Sequence, residues 1–329
     1  MRIAVTGATG HIGANLVRLL VGEGHAVVAL YHRPERLPAL AGVAVEQRRC
    51  DVLEPESLTP AFAGADVVIH LAALISIKGD PDGLVMRTNV EGTRNVVAAC
   101  LAEGVGQLIH FSSIHALRMH DSGAAIDEDS PPADGSCFRY DHSKALGERE
   151  VLAGVERGLD ATILNPTGVI GPYDFAPSPA GRMVRSLFAG RLRFLIAGGF
   201  DWVDARDVAK AALNAVRLGG RGERMILPGH WVTFLELAAL CDAAAGRRVR
   251  RFAVPVGMAR LGLPFAEVFD RLSGRDPLFT GESVAIIAHG GKGCSGAKAA
   301  RVLGFRPRPL ADTIRDTYAW FRSEGRLAR

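Results

Sequence analysis

The stretch Thr6-Gly7-Ala8-Thr9-Gly10-His11-Ile12-Gly13 constrains this chain more tightly than any other part of it. It follows the apolar run Arg2–Thr6, which reads as a short buried strand, and it opens an amphipathic stretch at 11–21 that reads as a helix. At such a junction the three glycines have separate tasks. Gly7 lets the chain turn sharply out of the strand, Gly10 lets the backbone approach a pyrophosphate, and Gly13 lets the helix pack closely on the sheet. The first turn of the helix presents free N–H groups and the positive end of its dipole to phosphate oxygens. A dinucleotide is therefore expected against Gly7, Thr9, Gly10, His11, Ile12 and Gly13. A glycine pattern alone is weak evidence, and its place between strand and helix is what gives it weight.

Further short apolar runs follow at 26–30, 43–47, 66–70, 107–112 and 161–165, with helical patterns between them, notably at 84–103 and 140–157. This alternation predicts a parallel sheet with helices on both faces. Runs such as Ile3-Ala4-Val5 and Val67-Val68-Ile69 suit strands buried on both sides. After Pro166 the texture changes: Gly171-Pro172 and Phe175-Ala176-Pro177-Ser178-Pro179 mark loops. The predicted fold is α/β, a Rossmann-type doubly wound parallel sheet with a smaller C-terminal substrate-binding region. Residues 1–171 form the dinucleotide-binding part, 201–225 return to its sheet, and 172–200 with 226–329 form the smaller region over the sheet's C-terminal edge.

The second strand ends in Tyr31-His32-Arg33, with no Asp or Glu to grip a ribose 2′-hydroxyl. Arg33, assisted by Arg36, suits a 2′-phosphate instead, so NADP is favoured over NAD. Asp51 and Val52 are placed to meet the adenine, although Asp51 can equally cap the helix that follows. Leu71, Ala72 and Ala73 are small or apolar residues after the fourth strand, where a backbone would run close to a cofactor.

Tyr140 and Lys144 stand four apart, on one face of a helix. A free tyrosine, with a pKa of about 10, is a poor base at neutral pH. An ammonium at ~4 Å and an effective dielectric of ~20 favours the phenolate by about 4 kcal/mol before burial is subtracted. That pairing fits general acid–base work, with Lys144 also reaching the nicotinamide ribose. Ser113, or alternatively Ser112, at the end of the fifth strand would hydrogen-bond the reacting oxygen. Asn89 either positions a water that relays protons to Lys144 or bonds a neighbouring backbone.

Composition narrows the field further. The 329 residues carry a formal charge of +4 from 39 basic and 35 acidic residues, too small and scattered a surplus for nucleic acid. Arg247, Arg248, Arg250 and Arg251 read as a solvated rim. The five cysteines are dispersed, which argues for free thiols and against a zinc site or other metal centre. The first strand begins at Arg2, leaving no room for a leader, and no apolar run reaches the ~20 residues of a membrane span. The expectation is a cytoplasmic protein with a small-molecule substrate and neither nucleic acid nor membrane as partner.

Together, Thr6–Gly13, Asp51-Val52, His70–Ala73, Asn89–Thr93, Ser113 and Tyr140/Lys144 resemble the extended short-chain dehydrogenase/reductase superfamily over nearly the whole chain. Within it the chain is similar to dihydroflavonol-4-reductase-like proteins of the NAD-dependent epimerase/dehydratase family, including a hopanoid-associated branch that has a loop like Pro177-Ser178-Pro179-Ala180-Gly181-Arg182. The resemblance implies that Asn165-Pro166-Thr167-Gly168-Val169-Ile170-Gly171-Pro172 passes the nicotinamide carboxamide, bringing Pro166 and Val169 to the cofactor. It further implies hydride transfer between nicotinamide and a carbonyl or alcohol, Tyr140 exchanging the proton and Ser113 polarising the oxygen. Relatives that handle nucleotide sugars carry an asparagine where this chain has Gly168, which favours a smaller or more apolar carbonyl substrate. Arg182, Arg185 and Arg191 leave an epimerase or dehydratase reading open, while the retained Tyr140/Lys144 pair argues against a non-catalytic dinucleotide sensor. His115, Tyr173 and Phe175 either line the pocket or serve packing. A homodimer through the helices at 84–103 and 140–157 is also implied.

Overall fold

The computed structural model describes residues 1–118, 125–261, 280–282, 284–285 and 293–327. Strands β1 (Arg2–Thr6), β2 (Ala26–Tyr31), β3 (Glu46–Arg49), β4 (Val67–His70), β5 (Gln107–Phe111) and β6 (Ala161–Pro166) come first in the chain and join one parallel sheet. A seventh strand, Arg224–Leu227 (β10), completes it beside β6, in the order β10-β6-β5-β4-β1-β2-β3. The chain runs outward from β1 to β3, then returns to β4 on the other side of β1. The strand order therefore reverses between β1 and β4, and a crevice opens at their C-terminal ends.

Alternate residues of each strand feed two cores. Ile3 and Val5 face α1 (His11–Gly22) and α7 (Ala205–Leu218), while Ala4 and Val28 face α2 (Pro55–Phe62), α4 (Gly92–Ala102) and α5 (Arg139–Glu156). The helix entering α4 begins as α3 (Leu84–Met86) and passes through a π-helical turn at Arg87–Glu91, which re-aims Asn89.

A third core holds the smaller region together. Its strands are β7 (Gly168–Ile170), β9 (Gly199–Asp204) and β11 (His230–Thr233) in one sheet, and β8 (Phe194–Ile196) with β12 (Phe252–Val254) in another. Helices α6 (Pro179–Phe188), α8 (Phe234–Ala244) and α10 (Leu310–Ser323) pack on them. Pro179 and the Ser178 hydroxyl, which accepts from Gly181 N at 3.0 Å, start α6.

Two expectations need correction. The segment at 201–225 does not return to the main sheet as a unit: β9 joins the small three-stranded sheet, though its Val203 reaches the main core, and α7 packs on that core. Conversely, β10 straddles the expected boundary at 225/226, and α9 (Ala297–Leu303) buries Ala299 and Leu303 in the main core. Both apolar segments fill the sheet's open β6 edge and the face behind it. No described helix is long and apolar enough to cross a membrane.

Candidate active site

The glycine turn is built so that side chains cannot enter it. Gly7 takes φ +67°, and a Cβ there would lie 2.8 Å from Ala72 N. A Cβ on Gly13 would lie 2.3 Å from Gly7 O, so α1 can seat against the turn only with glycine there. Gly10 N donates to Gly7 O at 2.9 Å and caps α1 without a side-chain bond or an acidic residue in the first turn. This open, anion-ready helix end at the strand-order reversal fits a dinucleotide pyrophosphate. His11 and Ile12 offer it only their main chain. The His11 ring bonds Pro172 O at 3.1 Å, and Ile12 packs on the main core. Thr9 is buried beside them.

At the end of β2, Arg33 is exposed and caps a 3-10 turn at Pro34–Leu40, and neither Arg33 nor Arg36 forms an ion pair among the described residues. Asp51 directs Oδ1 to Leu53 N at 2.9 Å and Oδ2 to within 3.3 Å of His32 Nε2. The N-cap of α2 is Glu54, so Asp51 shapes the turn without capping the helix. Val52 packs where a Cβ on Gly92 would come within 2.7 Å of it, and its carbonyl accepts from Asn95 at 2.9 Å.

A single hydrogen-bond chain links the glycine turn to the π-turn. Leu71 N and Ala72 N donate to Thr6 Oγ1, at 3.1 and 3.2 Å, leaving that hydroxyl to donate to His70 Nδ1 at 2.7 Å. The Nε2–H of His70 then meets Thr93 Oγ1 at 3.2 Å, and Thr93 donates to Asn89 O at 2.8 Å. Burial, with a smaller contribution from the Lys144 charge, drives the His70 pKa down to about 3, so the ring stays neutral in this role. Ala73, next in the chain, is exposed at the mouth of the crevice.

Asn89 clamps this loop to α5. Its amide donates to Leu74 O at 3.0 Å and Ser143 Oγ at 2.9 Å and accepts from Leu74 N at 2.8 Å. Of the two roles open from sequence, backbone bonding is the one its side chain performs.

Tyr140 and Lys144 lie on the first turns of α5, facing the end of β5. The Ser113 hydroxyl interacts with the Tyr140 phenol and accepts from His115 N at 3.2 Å. Ser112 Oγ instead lies buried without a hydrogen-bond partner among the described residues. Lys144 Nζ donates to Phe111 O at 2.8 Å. Burial pushes the Tyr140 phenol up to about 12, Ser113 pulling it down and Asp141 adding to the rise, whereas burial brings Lys144 down to about 8 against the pull of Glu148. The expected lowering of the phenol by the ammonium is therefore overturned in the protein alone, because burial is the largest influence on both groups.

Sequence reasoning missed three supports. Asn165 donates to Ser113 O at 2.8 Å and to Glu148 Oε1 at 2.6 Å, and Glu148 is ion-paired with Arg224. A glutamate one turn after Lys144 on the same face was the available signal. Asp141 Oδ1 lies 3.1 Å from His115 Nδ1, and the His115 ring meets Tyr140 edge-on at 5.7 Å. This imidazole lines a small cleft with Ile114, Ile126, Thr167, Phe200 and Trp231. A Cβ on Gly168 would lie 2.8 Å from the Phe200 ring, which leaves no room for a side chain at that position. Pro166 ends β6 buried, and Val169 packs on the main core. Tyr173 and Phe175 do not line this cleft; they stack on each other and meet Trp320 at an angle, with the Arg18 guanidinium 4.6 Å over the Tyr173 ring.

A glycine cradle at the strand-order reversal, joined to a half-buried tyrosine between a buried serine and a buried lysine, defines an NAD(P)-dependent oxidoreductase of the extended short-chain dehydrogenase/reductase type. The chain belongs to the NAD dependent epimerase/dehydratase family, which it matches over residues 3–227. It is 35% identical to Sterol demethylase protein B of Methylococcus capsulatus, over 99% of this chain and 100% of that one. It is 29% identical to a putative dihydroflavonol 4-reductase of Synechocystis sp., over 98% and 94% of the two chains. The crystal structure of gox2253 superposes with a TM-score of 0.85 at 32% identity, covering 99% of each chain.

Proposed function

We propose that this enzyme is a dihydroflavonol-4-reductase-like oxidoreductase that moves hydride between NADP and the carbonyl or alcohol carbon of an apolar small molecule, with Tyr140 as general acid and base. The observation that carries this reading is the Phe200 ring against Gly168. It removes the polar side chain expected in a nucleotide-sugar site and leaves a largely apolar cleft lined by His115, whose ring meets Tyr140. Similarity along the full length to a protein named for sterol demethylation supports ring-bearing, sterol-like ketones and alcohols as the substrate class.

When bound, the cofactor supplies or accepts the hydride. In reduction, Tyr140 is the proton donor, since its phenol is held protonated through the neutral range, and the Ser113 hydroxyl bonds the same reacting oxygen. In oxidation Tyr140 takes the proton back. Lys144 holds its ammonium at the Phe111 carbonyl on the buried side of α5 and would hold the ribose hydroxyls of the bound cofactor. Arg33 and Arg36, without acidic partners among the described residues, support NADP over NAD.

Consumption of NADPH is measured with a panel of apolar cyclic ketones, and in parallel with nucleotide sugars. Expected is turnover of cyclic ketones, reduced ~100-fold or more in Tyr140→Phe with NADPH binding retained. Arg33→Ala is expected to raise the KM for NADPH ~10-fold and leave that for NADH unchanged. Turnover of nucleotide sugars by enzyme that retains NAD(H) through purification would overturn the proposal.

A further inference from the structure

We propose that the face formed by β8, β12 and the helical turn after Pro255 docks on an anionic lipid bilayer. Phe194 and Phe252 are partners in the β8–β12 pairing, and their rings stack at 5.9 Å. They are 66% and 45% exposed. The pair is held firmly, because Phe252 N donates to Arg193 O at 2.9 Å. In the turn that follows, Val256 and Ala259 pack toward the core of the smaller region. Met258 and Leu261, also three apart, share the opposite side and are 64% and 77% exposed. A stacked pair of exposed phenylalanines, followed within nine residues by exposed Met258 and Leu261, marks an interaction surface rather than ordinary scatter.

Among the described residues, the segments that build this face carry charge of one sign. Arg191, Arg193, Arg247, Arg248, Arg250 and Arg260 are exposed, and neither 189–199 nor 243–261 contains an Asp or Glu. None of the six forms an ion pair among the described residues, whereas Arg251 turns inward to Asp242. Arg250 sits 5.3 Å over the Phe252 ring, which joins the cationic and apolar elements in one patch. The arginine run, expected from sequence alone to be a solvated rim without a membrane partner, thus borders a wedge of apolar side chains. An anionic bilayer matches both features: headgroups take the arginines, and the acyl boundary takes the phenylalanines, Met258 and Leu261. The Phe194 and Phe252 rings are stacked on each other, and Met258 and Leu261 are aliphatic, which suits acyl chains better than bases; a second copy would bring like charges together. The inference does not depend on the identity of the substrate.

The full chain is floated with vesicles of mixed phosphatidylcholine and phosphatidylglycerol, and with phosphatidylcholine alone. Expected is binding to the mixed vesicles at low salt that is lost at high salt and absent with phosphatidylcholine alone. Arg247→Glu with Arg248→Glu should weaken it ~10-fold or more. Phe194→Ser with Phe252→Ser should weaken it separately, while the thermal midpoint and the NADPH-induced shift of each variant stay those of the parent. Failure to bind the mixed vesicles, or equal binding by parent and variants, would overturn the proposal. So would conversion of a dimer to monomers by the phenylalanine changes, or equal affinity for a single-stranded oligonucleotide.

Discussion

Lys144 carries its ammonium to the Phe111 carbonyl through an enclosed space, and the loss of hydration there brings its pKa down to about 8. Tyr140, half-buried one turn earlier on the same helix, is pushed up to about 12, so at neutral pH the protein alone presents a phenol. The Ser113 hydroxyl favours the phenolate there, whereas Asp141 opposes it. Near-ultraviolet difference titration of the wild type against Tyr140→Phe should therefore show no phenolate from this residue until pH nears 12. Ser113→Ala should move the transition higher still. A phenolate already present at pH 8 in the protein without cofactor would contradict this account of the pair.

Among the elements, α1 shows how one atom governs placement. A methyl group on Gly13 would meet Gly7 O at 2.3 Å and the Ala8 backbone at 2.8 Å, so Gly13→Ala must push the helix off the turn. The expected cost is about 1–3 kcal/mol, with loss of the NADPH-induced thermal shift. Gly22, at the far end of the same helix, has open space for a methyl group, and Gly22→Ala should raise stability by about 0.5–1 kcal/mol and leave binding intact. Thermal shift with and without NADPH checks both. Strands buried on both faces, such as β1 and β4, were legible as continuous apolar runs. The edge strand β3 was not: its residues Glu46–Arg49 are mostly exposed, while the apolar Val43 and Val45 just before it pack on the main core as loop. The placement of Tyr140 and Lys144 on one helical face was legible from their spacing, whereas Ser113 could not be told from Ser112 until the fold set their directions. Glu148 with Arg224, and Gly168 with Phe200, were not, because each pair meets only through the tertiary fold.

At the scale of the whole molecule, acid sensitivity follows from two histidines placed side by side in the middle of the sheet. His70 and His110 are cross-strand partners, with ring centroids 5.3 Å apart. Burial lowers both, His70 to about 3 and His110 well below its ordinary value, with Lys144 adding to each and His70 adding to His110. An unfolded histidine takes a proton at about pH 6.5. Below that pH the unfolded chain binds protons that the folded sheet refuses, so stability is full above about 6.5 and falls as pH drops toward 3. The loss approaches about 1.4 kcal/mol per pH unit for each histidine, against a total of about 5–15 kcal/mol for a typical domain. Between pH 6.5 and 4.5 few carboxylates titrate, so that window isolates the histidines. Both His110 nitrogens are without hydrogen-bond partners among the described residues, which makes His110→Leu a change that removes the titration and two unsatisfied atoms together. Urea unfolding at a series of pH values should give His110→Leu about half the parent's slope in that window, with equal or higher stability at pH 7. A slope that His110→Leu leaves unchanged would place the acid sensitivity elsewhere.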